Sequence, residues 1–325
     1  MKNFIITICI IILFIGIVSI PSLGFQLKED FIIPTDRANI LYVGGNGTGN
    51  YTFIQSAIND TKEGDTVFVF DDSSPYHENI IINKNIFLRG ENKDTTIIDG
   101  NRVGDAIYVN NTWIYISGFT IKNGGLECPS GGIYIKSSYG MISNNIIENN
   151  FYGISMFNTK KIYIFNNKFI NNNQCGIYLE ESSNNYISTN FISGQPFNGI
   201  GLFKSSNDNY IYNNTILHNN YSGIRINRCY DNCLYKNMIS KNLVGVRVEY
   251  SSNNVIMNNN FIKNINREAY YLGEKLLGNK NNWSGNYWNR PRVLPKPIFG
   301  RTGIFFKLIP CINFDWAPAK KPYDN

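Results

Sequence analysis

The sequence predicts an all-β chain wound into a right-handed single-stranded parallel β-helix, with three sheets and roughly nine to ten coils. Three observations lead there. Glycines recur at Gly132, Gly153, Gly176, Gly199, Gly223 and Gly245, at spacings of 21, 23, 23, 24 and 22 residues. Each opens a short alternating apolar segment, the mark of a strand with one buried face. No helical pattern of comparable length occurs between them.

The first strand of each unit carries Ile133, Ile154, Ile177, Ile200, Ile224 and Val246 directly after the glycine. Two positions on come Ile135, Met156, Leu179, Leu202, Ile226 and Val248. A second strand is expected to bury Met141, Ile162, Tyr186, Tyr210, Cys233 and Val255. A third is expected to bury Ile147, Phe169, Phe191, Ile216, Ile239 and Phe261. A unit this small cannot cover its own inner face, so successive coils must stack.

The turns fit the same frame. Ser138, Thr159, Ser182, Ser205, Cys229 and Ser251 form one polar column. Asn145, Asn167, Asn214, Asn237 and Asn259 form another, with pairs such as Asn184-Asn185 and Asn253-Asn254 in the remaining turn. Asn tolerates the left-handed backbone conformation, and like side chains in register can pass hydrogen bonds along a stack. An AT-rich genome would also enrich Asn, so composition alone does not separate the two causes.

Both ends depart from the repeat, as the ends of a solenoid must. Residues 1–24 read as a signal peptide or an N-terminal membrane anchor. Lys2 precedes the apolar run Phe4–Ile20, Pro21 breaks it, and Ser22-Leu23-Gly24 offers a cleavage site. The chain is thus expected to be secreted or at the cell surface, touching membrane only through that segment if it is retained. Tyr51–Asp60 reads as a short capping helix with Phe53, Ile54, Ala57 and Ile58 on one face. The β-helix is placed at 25–277. An irregular, aromatic and Pro-rich capping tail is placed at 278–325, with Arg290, Arg292, Lys296, Arg301, Lys307, Lys320 and Lys321 facing only Asp315 and Asp324 as counter-charges. The net charge of +6 is spread along the chain and does not call for nucleic acid.

The opening segment Gly49-Asn50-Tyr51-Thr52-Phe53-Ile54-Gln55-Ser56-Ala57-Ile58, with Gly64-Asp65-Thr66-Val67, Tyr76-His77-Glu78-Asn79-Ile80, Leu88-Arg89-Gly90 and Thr96-Ile97-Ile98-Asp99-Gly100, resembles the start of pectin-lyase-like β-helix proteins. The Gly-Ile repeats with Asn-rich turns resemble the NosD-type β-helix repeat. Trp283-Ser284-Gly285-Asn286-Tyr287-Trp288 is similar to an element that closes archaeal NosD-like proteins. The resemblance covers about residues 40 to 290. It implies the fold, and it spans lyases, hydrolases, epimerases, binding modules and surface components. It also implies a periplasmic copper-binding accessory role. Copper calls for clustered Cys, His or Met. The two histidines, His77 and His218, belong to coils far apart, and Cys229-x-x-x-Cys233 has no further ligand beside it. No metal site and no cofactor is therefore expected, with calcium entering only if the chain is a lyase.

Alternate residues of the glycine-led strand point outward. One column is Tyr134, Ser155, Tyr178, Gly201, Arg225 and Arg247, and its neighbour is Lys136, Phe157, Glu180, Phe203, Asn227 and Glu249. Tyr178, Glu180, Phe203, Arg225, Arg247 and Glu249 are the candidate substrate-binding residues: rings for stacking, guanidinium groups for carboxylates, carboxylates for hydroxyls. Glycoside hydrolysis pairs two carboxyls about 5 to 9.5 Å apart. Glu180 and Glu249 lie three coils apart, about 14 Å at the inter-strand spacing. No catalytic set is assigned. The expected function is a non-catalytic carbohydrate- or envelope-binding surface module, with polysaccharide or cell-envelope glycan as partner. The alternatives are a polysaccharide lyase, hydrolase or epimerase on the same face, and a NosD-like envelope accessory protein.

Overall fold

The computed structural model describes residues 39–324 other than 111–112, 126, 274–280 and 305–306. The expected leader, residues 1–24, lies outside the described residues. What is described is a right-handed parallel β-helix in which each strand pairs with its counterpart one coil on. The glycine-led strands run as one parallel ladder from Ile80–Ile82 through Gly131–Lys136 and Val244–Glu249 to Arg267–Gly273. A second ladder runs from Ile40–Val43 to Asn282–Ser284. The third holds ten strands, from Tyr76–His77 to Tyr287–Trp288.

The core is the expected stack of aliphatic columns. Ile133, Ile154, Ile177, Ile200, Ile224 and Val246 are all fully buried, and each such side chain contributes about 1.5–3 kcal/mol of transfer free energy. The glycines ahead of them sit where coils approach closely. A Cβ on Gly199 would lie 2.6 Å from the Gly223 carbonyl oxygen of the next coil.

The second-strand column is out of phase at every expected position but Ile162, and the third-strand column departs from expectation at Phe191 alone. In the second strand the register is Met141, Tyr163, Tyr186, Tyr210, Cys233 and Val255, and these residues face outward. The buried residues are Ile142, Ile164, Ile187, Ile211, Leu234 and Ile256. In the third strand Ile192, not Phe191, continues the buried column, and Phe191 is exposed. Strands with apolar residues on both faces do not declare their phase, and in the second strand the aliphatics take the interior while the rings stay outside. The hydroxyl column likewise runs through Ser206 rather than Ser205: the Ser182 amide donates to Ser206 Oγ.

The asparagines fall into two classes. Asn144, Asn166, Asn213 and Asn258 have φ near +56° and make the left-handed turn. The residue after each, Asn145, Asn167, Asn214 and Asn259, is buried and forms a rung of an amide ladder. In the longest ladder, Asn145–Asn167–Asn190–Asn214–Asn237–Asn259–Asn286, each rung donates both its backbone and its side-chain N–H groups to the next rung, the Asn167 pair being representative at 3.0 and 3.2 Å. Two more ladders run through Asn185–Asn209–Asn232–Asn254–Asn281 and Asn150–Asn172–Gln195–Asn219–Asn242–Asn264. These side chains satisfy backbone carbonyls at each corner that no strand partner reaches.

The capping helix spans Ile54–Asp60 and buries Ile54, Ala57 and Ile58. Phe53 precedes it and is 58% exposed rather than on the buried face. Glu78 accepts from the Ile54 and Gln55 N–H groups at 2.8 and 2.9 Å. Lys84 Nζ donates to the carbonyls of Ile58, Asn59 and Thr61. Opposite charges thus close the two ends of the helix.

The tail holds more regular structure than the expected irregular cap. The coil pattern continues through Trp288, and Lys296–Ile304 pairs antiparallel with Lys307–Asp315. This hairpin adds one strand to each of the first two ladders, through Tyr271↔Gly300 and Trp283↔Asp315. Asp315, fully buried, closes the longest amide ladder by accepting from Asn286 N, Asn286 Nδ2 and Trp288 Nε1 on one oxygen.

Candidate functional site

The outward face of the glycine-led ladder brings the six candidate residues together. Cross-coil register places Tyr178, Gly201, Arg225, Arg247 and Tyr270 in one line, and Glu180, Phe203, Asn227 and Glu249 in the next.

Glu249 is the centre of one cluster. It is 3% exposed and sits between two guanidinium groups. Arg225 Nε and Nη2 reach Glu249 Oε2 at 2.8 and 2.7 Å, and Arg247 Nε donates to Oε1 at 2.6 Å. Asn227 Nδ2 donates to Oε2 at 3.1 Å. Burial alone would raise the Glu249 carboxyl, but the charges and hydrogen bonds of Arg225 and Arg247 outweigh it and hold the group below the usual carboxylate range. A carboxylate so held is an anchor and not a mobile acid or base. It fixes two cations on adjacent coils, side by side, with an excess of positive charge. Arg225 also lies over the Phe203 and Tyr221 rings, at 5.4 and 5.6 Å. Arg247 lies over Tyr221 and Tyr270, at 5.0 and 5.2 Å. Each ring contact adds cation–π stabilisation and restricts the guanidinium plane.

The second cluster joins the first through Phe203. Tyr178 stacks on Phe203 at 5.0 Å and donates to Glu180. Lys204 Nζ reaches Glu180 Oε1 at 2.6 Å. Burial pushes the Glu180 carboxyl up, and the hydrogen bonds from Lys204 and Tyr178 overcome this to leave it lowered. Burial, then the bond to Glu180, pushes the Tyr178 phenol up. The aromatic strip continues through Phe157 and Tyr134 to Tyr108, each ring contact lying within 5.3–5.5 Å.

Four outward features were not read from the sequence. Tyr270 follows by carrying the Arg247 column one coil further. Tyr221 precedes its strand, outside the alternation, and carries no such signal. A stacked row, Tyr163–Tyr186–Tyr210, lies on the outward face of the second ladder at 4.7 and 5.1 Å; the phase of that strand had concealed it. Asp105 is the fourth. Its Oδ1 accepts the Gly131 N–H at 2.8 Å, and burial pushes its carboxyl up to about 6. Its charge also bears on the Tyr134 phenol.

The described cysteines, Cys128, Cys175, Cys229, Cys233 and Cys311, are free thiols. Cys229 takes the hydroxyl column, donating to the Asn227 carbonyl at 3.1 Å.

A comparison with protein families matches residues 79–293 to NosD, described as a periplasmic copper-binding protein. No curated protein matches. Among solved structures, the A-module of the Azotobacter vinelandii mannuronan C-5 epimerase AlgE6 is similar with a TM-score of 0.59 and 15% identity, over 78% of each chain. A point mutant of the periplasmic alginate epimerase AlgG gives 0.58 and 17%, over 74% of this chain and 61% of that one. PfbA, a surface adhesin of Streptococcus pneumoniae, gives 0.57 and 16%, over 74% of this chain and 76% of that one. At these identities the likeness shows the fold alone. The chain covers about three fifths of AlgG. Among the described residues no helix is long and apolar enough to cross a membrane.

The copper in the family description can be tested against the donors present. Among the described residues no three His, Cys, Asp or Glu side chains converge as ligands. His77 bonds Asn101 at 3.0 Å. His218 holds a left-handed turn at φ +57°, six coils further along and so about 29 Å away on the axis. This donor set does not fit a copper centre. The family itself is settled by a match over most of the described solenoid: the chain belongs to the NosD family of β-helix proteins.

Proposed function

We propose that this protein is an exported β-helix that binds an acidic polysaccharide or cell-envelope glycan along the outward face of its glycine-led ladder, and does so without turning it over. The Arg225–Glu249–Arg247 arrangement carries the reading. One buried carboxylate fixes two guanidinium groups on neighbouring coils, and each keeps, for the carboxylates of a polymer laid across the coils, N–H donors that Glu249 does not use. The strip from Tyr108 to Phe203 extends the same face with aromatic surface for sugar rings. The similar solved structures include enzymes named for alginate and mannuronan, which are carboxylated polymers, and a surface adhesin.

The test is titration of the purified protein with an oligouronate and with a neutral oligosaccharide of equal length. Arg225→Ala/Arg247→Ala is expected to weaken oligouronate binding by at least about 100-fold, which corresponds to roughly 2.7 kcal/mol. That variant also strands Glu249, so Glu249→Gln is added to it. The triple variant should regain thermal stability and still fail to bind. Recovered binding in the triple variant would overturn the assignment.

Asp105 favours a second reading, in which the same face turns the polymer over. A carboxyl pushed up to about 6, whose charge reaches the Tyr134 phenol, is suited to proton transfer near neutral pH. Product analysis in the same titrations decides between the two. The binding reading expects no depolymerised or epimerised product. Product formation that is abolished by Asp105→Asn would establish the enzyme instead.

A further inference from the structure

We propose that the cleft between Arg267–Ala269 of the last glycine-led strand and Lys296–Phe299 of the hairpin binds the end of a carboxylated sugar chain, as a site separate from the long face. The cleft has a structural cause. The two strands pair only at Tyr271↔Gly300, Leu272↔Arg301 and Gly273↔Thr302. Their preceding halves therefore diverge and leave a cavity of about 420 Å³. That is the size of a small-molecule site.

Its lining divides by chemistry. Trp288 and Ile298, each 2% exposed, and Ala269 make an apolar wall. Arg267 and Lys296 make a cationic one. Lys296 Nζ stands 5.8 Å from the Trp288 ring centre. Desolvation, then the charge of Arg292 and that of Arg290, pushes the Lys296 ammonium down, while Glu268 opposes them. Arg292 Nε is buried with no hydrogen-bond partner among the described residues. A concentration of cation with one nearby carboxylate calls for an anion.

Glu268 narrows the class. The third amide ladder ends at Asn264, which accepts from Asn242 at 3.1 Å and passes its own N–H to Glu268. The ladder thus positions a carboxylate on the cleft wall. Burial raises its carboxyl above the ordinary value, with the Asn264 bond and Lys296 working against the rise. A carboxylate there accepts hydroxyl donors, of which a sugar offers several and inorganic phosphate few. A sugar carboxylate answers the cations, its hydroxyls answer Glu268, and its ring face answers Trp288 and Ile298.

The experiment uses the variant Arg225→Ala/Arg247→Ala/Glu249→Gln, in which the long face is disabled, so its outcome is independent of the function proposed above. Glucuronate, glucose and inorganic phosphate are titrated separately, followed by tryptophan fluorescence and calorimetry. Glucuronate is expected to bind at least about tenfold more tightly than glucose or phosphate. Adding Lys296→Met should remove that preference, and adding Lys296→Arg should retain it, with all variants matched for thermal stability. Equal binding of glucose, tighter binding of phosphate, no glucuronate binding, or an unaffected Lys296→Met variant would each overturn the site.

Discussion

Asn214→Ala is expected to destabilise the protein by about 4 kcal/mol, whereas Asn220→Ala, at an exposed turn position, should change it by less than about 0.5 kcal/mol. The two residues differ in what depends on them. Asn214 is fully buried in the middle of the longest ladder. Its Oδ1 accepts from Asn190 N and Asn190 Nδ2, both at 3.0 Å. Its Nδ2 donates to the Ile187 carbonyl at 2.8 Å and to Asn237 Oδ1 at 3.0 Å. Truncation strands the buried Asn190 backbone N–H and takes one bond each from the Ile187 carbonyl, Asn190 Nδ2 and Asn237 Oδ1, each unmet group costing about 1–3 kcal/mol. A solenoid also has only nearest-neighbour interfaces, so a faulty interior coil weakens the coupling between the halves on either side. Urea denaturation checks the magnitude. Hydrogen exchange checks the mechanism, since the Asn190 amide, which donates to Asn214 Oδ1, should lose protection ahead of residues several coils away. A loss below about 1 kcal/mol would mean that water replaces the rung and that the ladders are not a main source of stability.

The same contrast explains how much the sequence reveals. The glycine-led strand is legible because backbone approach demands Gly and the next position demands an aliphatic. Its outward columns, and hence Tyr178, Glu180, Phe203, Arg225, Arg247 and Glu249, follow by alternation. The second strand is not legible in phase, because Tyr186-Ile187 and Tyr210-Ile211 offer an apolar residue to either face; only the fit of Ile187 and Ile211 to the interior decides. The hairpin escapes notice because Pro297, Gly300, Gly303 and Pro310 interrupt its pattern, and a terminal strand tolerates proline where an interior one does not. Asp315 and Glu268 are equally silent. Asp315 ends its ladder in the place of the next asparagine, and Glu268 ends its own from four residues past the last rung on the same coil; both roles depend on where the last coil stops. Asp105 is a burial effect at a turn, which no spacing announces.

Glu249→Gln is expected to cost about 3 kcal/mol at pH 7, the lower end for breaking a buried ion pair, because the Arg225 and Arg247 side chains keep 20% and 24% of their exposure. The variant keeps the volume and removes the charge that two guanidinium groups share. Its pH dependence separates charge from packing. The folded carboxyl is held below its ordinary value of 4.5. Its contribution is therefore fully present above about pH 4.5, where the unfolded chain is also ionised, and is lost as pH falls through the lower folded value. The stability gap between wild type and variant should be level from pH 7 to about pH 5 and should close at more acid pH. Denaturant midpoints measured across pH 3 to 7 read this directly. A gap that persists at pH 3 would assign the stabilisation to shape and neutral hydrogen bonding, and the two arginines would then owe their placement to the rings of Phe203, Tyr221 and Tyr270. A gap that closes identifies Glu249 as the charge that anchors the cationic face, with its proton held too strongly off for acid–base exchange with a bound polymer.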